Sequence, residues 1–390
     1  MQSYKKFYQH FFNANPKVQH YACHSHHYWP DVTREAVIRY WDDSARFVDD
    51  KWNHIFGVEV PAVQQFIANE LSLKNPAQLV FASNTHELLF RLLTAFSWQH
   101  GFKVLTTDSE FHSFSRQIAR LSEEAGVEIV TVPTEPFSTF EQRFIAAAAT
   151  LQPHLIFCSQ VFFNSGVAIH DLTAWVTELE QVCAATIAID GYHGFMAIPT
   201  DLSALEGRIF YLAGSYKYAQ GGEGCCFMLV PKGNSFRPLY TGWFAEFGAL
   251  AGPKQAGVLY SQDGFQFAGA TMDFTALYRL KAVLTLFAAE NITTAMVHQH
   301  VQNLQQHFLQ QLDALNHPWL NSKSLIVNNL QQHGHFLTFR GPTATEVAKL
   351  SAQLATFDIK TDYRGDRLRF GFALYHDIED IQLQCLKSLG

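Results

Sequence analysis

The chain has 390 residues, 48% apolar and 16% charged, and its 28 basic and 35 acidic side chains leave a net charge of −7. That charged share is well below the roughly 25% of an average soluble domain, so a large core is possible, with apolar surface left over for a partner subunit. The acidic balance argues against a nucleic-acid surface or a basic membrane patch. Cysteines 23, 158, 183, 225, 226 and 385 have neither the spacing of a disulfide framework nor a C-x-x-C metal motif. The start, MQSYKKFYQHFF, has no apolar signal core, and no window approaches the roughly 18 apolar residues of a membrane span. A soluble, cytoplasmic protein is expected.

In chain order, YACHSHHYWP gathers Cys23, His24, His26 and His27, but at a spacing that matches no standard ligand pattern, so no metal site is predicted. Apolar residues then recur every three to four positions from Asp31 to about Asp50, an amphipathic helix that Asp31 or Thr33 could cap. A second helix is expected from about Pro61 to Leu71. Residues 78–98 read as a short strand, a polar turn and a helix, with Asn84 and Glu87 at capping-box spacing. KVLTTD, EIVTVP and LIFCSQV read as further strands, with helices near residues 138–150 and 171–184. This alternation from about 60 to 230 predicts an α/β fold, a mostly parallel central sheet with helices on both faces, whose ligands bind at the carboxyl ends of the strands. From about Ala276 to His317 the pattern is helical and long. Strand-like SLIVNNL and HFLTFR then alternate with helices, a smaller α+β lobe. The expected division is an N-terminal arm and helix (1–59), a large α/β domain (60–277) and a small α+β domain (278–390).

The stretch from 186 to 229 carries the chemistry. One apolar run, TIAI, delivers Asp190 with His193 three residues on. Another, RIFYLAG, delivers Ser215, Tyr216 and Lys217, followed by Gly221, Gly222 and Gly224 and a third run, CCFMLV. The 27 residues from Asp190 to Lys217 match a strand, a connection and a second strand, so both can reach one sheet edge. A carboxylate and an amine so placed suit a cofactor with a basic ring nitrogen and an aldehyde, pyridoxal 5′-phosphate: the lysine forms the Schiff base and the carboxylate keeps the ring nitrogen protonated.

The pattern D-x-x-H, then S-Y-K-Y before a glycine-rich run, resembles the class V aminotransferase superfamily of pyridoxal-phosphate enzymes, and within it the kynureninases. A second run, TDYRGDRLRFGFALYHDIEDI, resembles the same group. The likeness covers about residues 20 to 380 and implies the fold-type-I pyridoxal-phosphate fold. It further implies a phosphate cup from Asn84 and Thr85 and a ring stacked on the pyridine from Phe111, with His112 as the alternative. Asn164 and Ser215 are implied beside the cofactor, His193 near the Schiff base, and Tyr216 between phosphate and substrate in proton delivery. Trp243 and Thr271 are implied at the phosphate, Thr271 at that of the neighbouring subunit, so a homodimer is expected. Arg369 falls where the family binds the substrate carboxylate, a task a guanidinium fork suits. Arg364 and Arg367 read as structural or solvent-facing. One of Ser25, His26 or His27 is a candidate substrate contact, because the N-terminal segment of such chains folds over the site.

The activity implied is kynureninase-type hydrolysis, in which the Cβ–Cγ bond of an L-kynurenine-like amino acid breaks to give anthranilate and L-alanine. His112 and Met272 stand where kynureninases usually have prolines, which keeps a class V aminotransferase or another lyase as the alternative. A cysteine desulfurase needs a mobile nucleophilic cysteine in the small lobe, and between Cys226 and Cys385 there is none. A non-catalytic scaffold would have no need of Asp190, Lys217 and Arg369 together.

Overall fold

The computed structural model describes residues 2–98, 101–124, 126–249 and 257–389. Its frame is a seven-stranded sheet. In chain order the strands are β1 (Leu79–Ala82), β2 (Phe102–Thr107), β3 (Val127–Val132), β4 (Leu155–Ser159), β5 (Thr186–Asp190), β6 (Ile209–Gly214) and β7 (Cys226–Leu229). Their spatial order is β1-β7-β6-β5-β4-β2-β3. All neighbours are parallel except β7, which runs antiparallel to both β1 and β6. Every residue of β1, β4, β6 and β7 is buried, which is why these strands are continuous apolar runs rather than alternating ones. Edge strand β3 is largely half-exposed and carries Glu128, a charge that discourages edge-to-edge pairing.

The longer helices up to residue 314 are α1 (Val32–Phe47), α2 (Val60–Glu70), α3 (Thr85–Leu93), α4 (His112–Leu121), α5 (Phe140–Leu151), α6 (Leu172–Val182), α7 (Thr275–Ala289) and α8 (Thr294–Ala314). The expected long helix from Ala276 to His317 is therefore two helices, bent by 85°. The cause is local: Asn291 adopts a left-handed φ of 54°, and the Thr293 side chain caps the new helix by accepting from the Met296 N–H. Among the described residues no single helix is long and apolar enough to cross a membrane.

Beyond α8 lie β8 (Phe336–Arg340), α9 (Ala344–Ala355), β9 (Asp362–Arg364) and β10 (Arg367–Gly371), the strands forming an antiparallel sheet ordered β9-β10-β8. SLIVNNL, expected as a strand, is irregular and meets β8 at one bridge, Leu325 to Phe339. The Asn329 side chain closes a 3-10 turn just after it and ends any ladder there. A second hydrophobic cluster, including Leu304, Phe308, Phe339, Leu350, Leu368 and Phe370, fills this region, while the cluster around the large sheet runs on through α7 to Val297.

The N-terminal segment ties the parts together. Residues 19–20 pair in parallel with 359–360, Tyr21 enters the second cluster, and Tyr28 stacks on Tyr375 at 4.7 Å. Trp29 lies against Gly222, whose φ of 71° only glycine adopts freely and whose missing side chain leaves room for the indole.

Candidate active site

Both key strands end at the same sheet edge. β5 stops at Asp190 and β6 at Gly214, so the turn that follows places Lys217 beside the carboxylate. The lysine is 9% exposed and reaches into a cavity of about 490 Å³ that Asp190 and His193 also line. Lys217 Nζ touches His193 Nε2, and lies 5.5 Å from the centre of the Phe111 ring and 5.4 Å from that of Tyr192.

Burial dominates the electrostatics. It pulls the Lys217 amine well below the ordinary lysine range, an effect that the Asp190 carboxylate opposes and the Arg369 cation reinforces. Burial likewise raises Asp190, against the Tyr192 N–H bond and the nearby amine. Asp190 Oδ1 accepts that N–H at 2.9 Å; among the described residues Oδ2 accepts none, and so can receive a proton-bearing ring nitrogen.

The N-terminus of α3 faces the same cavity. Asn84 caps the helix by accepting the Glu87 N–H at 2.9 Å, and Ser83, Asn84 and Thr85 all face the cavity. A helix N-terminus offers unpaired N–H groups and the positive end of the dipole, the ordinary setting for a phosphate. Only half of the expected capping box forms, because the Glu87 carboxylate instead bonds Arg91 one turn on, at 2.7 Å.

Phe111, His112 and Tyr216 stand on the cavity wall with Ser25 and His26. Five candidates do not. Ser215 turns its hydroxyl away to the Gly222 carbonyl, 2.6 Å distant, and so closes the glycine turn. Asn164 is held by the Ser109 hydroxyl. Trp243 donates from Nε1 to the Thr271 hydroxyl at 3.3 Å, so these two meet each other rather than the cavity of their own chain. His27 bonds the Tyr28 carbonyl and packs on Tyr375, facing away from the site.

Arg369, expected at the substrate carboxylate, lines the cavity, whereas His24, Asp362 and Glu110 were not foreseen near it. Arg369 is 1% exposed, bonds Asp362, and donates from Nη1 to the Phe163 carbonyl at 2.7 Å. His24 Nε2 lies 3.4 Å from the same Asp362 carboxylate, its ring stacked on Phe336 at 4.6 Å. Arg364, expected to be structural or solvent-facing, is half-exposed but lines the cavity and bonds Asp362 at 2.9 Å. Arg367 does stay outside, paired with Glu135 at 2.5 Å. Beneath Asp190, Glu110 is enclosed by the hydroxyls of Thr107 at 2.6 Å and Ser159 at 2.5 Å, and burial pushes its carboxyl up to about 7. For Asp362 a signal existed: it sits seven positions before Arg369, the spacing of a tight hairpin that sets the two opposite each other.

The family model for aminotransferase class-V matches residues 53–383. The chain belongs to this family. No curated protein sequence matches the class V chain significantly. Among solved structures, the apo cysteine desulfurase from Thermococcus onnurineus NA1 superposes with a TM-score of 0.78 at 16% identity, covering 98% of this chain and 96% of that one. A C-DES variant with glycine covalently linked to its pyridoxal-phosphate cofactor gives 0.79 at 18% identity, covering 98% of each. The cystine C–S lyase C-DES with its product cysteine persulfide gives 0.78 at 17%, covering 97% and 98%. At these identities the likeness speaks for the fold alone.

The cofactor of this class V enzyme is pyridoxal 5′-phosphate. The residues present fit it: a buried amine with a lowered affinity for protons, a carboxylate with one free oxygen, and a helix N-terminus face one cavity.

Proposed function

We propose that this class V enzyme, which acts on amino acids, catalyses kynureninase-type hydrolysis: the Cβ–Cγ bond of an L-kynurenine-like substrate breaks, and an aryl acid and L-alanine leave. The carrying observation is the cavity wall, where the rings of Phe111, Phe163, Tyr216, His26 and His112 surround the space beside Lys217. Such a wall suits a planar aromatic side chain.

Pyridoxal phosphate supplies, when bound, an electron sink for the amino acid. Lys217 is the amine that holds it, and Nζ then takes and returns protons at carbon, which a desolvated neutral amine does near neutral pH. Asp190 Oδ2 would accept the ring N–H. Asn84 and Thr85 would hold the phosphate, and Phe111 would cover the ring from the cavity wall. Arg369 would receive the α-carboxylate and so fix the orientation of the amino acid in the cavity. Tyr216 carries a hydroxyl on the wall from which a proton can be delivered. His24, Ser25 and His26 cover the mouth and limit water to what the hydrolysis consumes.

A second reading is carbon–sulfur bond cleavage, named for the similar C-DES structure. It is favoured by the state of the thiols. Cys226, on the cavity wall, contacts the Tyr192 hydroxyl at 3.5 Å and burial pushes it up to about 12. Among the described residues the site thus holds no reactive thiolate to relay sulfur, and a lyase needs none.

A homodimer completes the proposal. Val37, Ile38 and Trp41 form an exposed apolar stripe on α1, and Leu239 and Tyr240 are exposed beside Trp243. In the dimer, Thr271 serves the partner's phosphate, its hydroxyl held by the Trp243 indole N–H. Anthranilate fluorescence on adding L-kynurenine tests the first reading. Pyruvate and persulfide from L-cystine, without anthranilate, would replace it with the second.

A further inference from the structure

Arg369 by itself is a poor magnet for an anion. Its guanidinium is already bonded to Asp362, and the two together carry no net charge. An ion pair of this kind positions a group but does not attract a carboxylate from water. The cation that remains is Arg364. It bonds the other oxygen of Asp362, Oδ1, through Nη1 at 2.9 Å. Among the described residues its Nε and Nη2 meet no acceptor. Both guanidinium groups flank the same ring, Phe163, at 5.1 Å for Arg369 and 5.9 Å for Arg364, and both line the cavity. Strand register explains the arrangement. Asp362 is directly opposite Arg369 across β9 and β10, and Arg364 is two residues on, on the same face of β9.

We propose that Arg364 is a specificity-determining residue that joins Arg369 in a two-guanidinium receptor for the substrate carboxylate, with Asp362 as the positioning residue between them. The proposal rests on the reading that Arg369 receives that carboxylate. The charge count then sets selectivity. Two cations and one anion leave a single positive charge, since buried His24 is neutral, so one carboxylate balances the site. A second carboxylate on the substrate overfills it. Without Asp362 the site carries two positive charges and favours dianions.

The test titrates the pyridoxal-phosphate-loaded protein with L-alanine, L-aspartate and ethylamine, following the absorbance change of the bound cofactor. It compares wild type with Arg364→Gln, Arg364→Lys, Asp362→Asn and Arg369→Gln, each first shown to fold by its thermal melt. Arg364→Gln is expected to weaken L-alanine by roughly tenfold or more and to leave ethylamine unchanged, since a charge-assisted bond is lost. Arg364→Lys should recover part of the loss, and Asp362→Asn should turn the preference toward L-aspartate. Wild-type affinity for L-alanine in Arg364→Gln would overturn the proposal, as would an unchanged aspartate-to-alanine ratio in folded Asp362→Asn. Should Asp362→Asn not fold, the two Arg364 variants decide. If Arg369→Gln weakens L-alanine and Arg364→Gln does not, this inference fails alone. If Arg369→Gln also has no effect, the carboxylate reading beneath it fails.

Discussion

Lys217 Nζ and His193 Nε2 are in direct contact inside the protein, with both side chains buried. Two basic groups so placed hold at most one proton between them in a medium that solvates charge poorly. Burial and the neighbouring cations hold His193 far below its ordinary range. Burial, more than any partner, therefore keeps a nucleophilic amine ready near neutral pH.

The pH dependence of cofactor capture follows. Incorporation of pyridoxal phosphate into the cofactor-free protein needs neutral Lys217, so its rate should fall as pH drops through the depressed amine pKa and level off above it. Asp190 raises that pKa and Arg369 lowers it. Asp190→Asn should therefore move the profile to lower pH, and Arg369→Gln to higher pH. Stopped-flow absorbance at a series of pH values checks both, and shifts of the same sign would refute this electrostatic account.

Glu110 should make stability pH-dependent. Its pKa rises on folding from 4.5 to about 7, so the folded state binds the proton more tightly. The stability present below about pH 4.5 is lost as pH rises through about 7, by up to about 3 kcal/mol. Glu110→Gln removes that titration, and its melting temperature should drop less than that of wild type between pH 5 and pH 8.

Arg369→Lys should raise KM for the amino-acid substrate roughly thirtyfold, about 2 kcal/mol, because an ammonium cannot reproduce the planar fork. Steady-state kinetics on the anthranilate assay would show it, with a smaller change in kcat.

Gly222→Ala forces a side chain into a left-handed position and to within 2.5 Å of the Trp29 ring. A loss of roughly 1–3 kcal/mol is expected. Chemical denaturation measures it, and Trp29 fluorescence should report the displaced N-terminal segment.

Trp41 is 69% exposed on the apolar stripe of α1. If that stripe is the dimer contact, Trp41→Glu should weaken self-association at least about thirtyfold. Light scattering after size exclusion would then give the mass of a single chain, and an unchanged mass would place the contact elsewhere.

Much of the sheet could be read from the sequence because its strands are buried on both faces and appear as short unbroken apolar runs. The residues just past those runs, Asp190, Lys217 and Phe111, were legible for the same reason. SLIVNNL has a similar composition but no strand partner beyond one bridge, and composition does not reveal whether a partner exists. Glu87 was assigned to the cap, where a competing arginine one turn away takes it. His24 was missed because its meeting with Asp362 depends on pairing residues 19–20 with 359–360, and no local pattern records so distant a register.

That pairing has a consequence for biosynthesis. The cavity wall draws on His24 at one extreme and Arg369 at the other, so most of the polypeptide must leave the ribosome before the pocket can close. A nascent chain arrested near residue 340 could lay down the large sheet, yet its N-terminal segment would have no strand to dock on. Vitamin capture should then be a late, post-translational event, and the unpaired histidines of that segment would lie open to chaperones until it occurs.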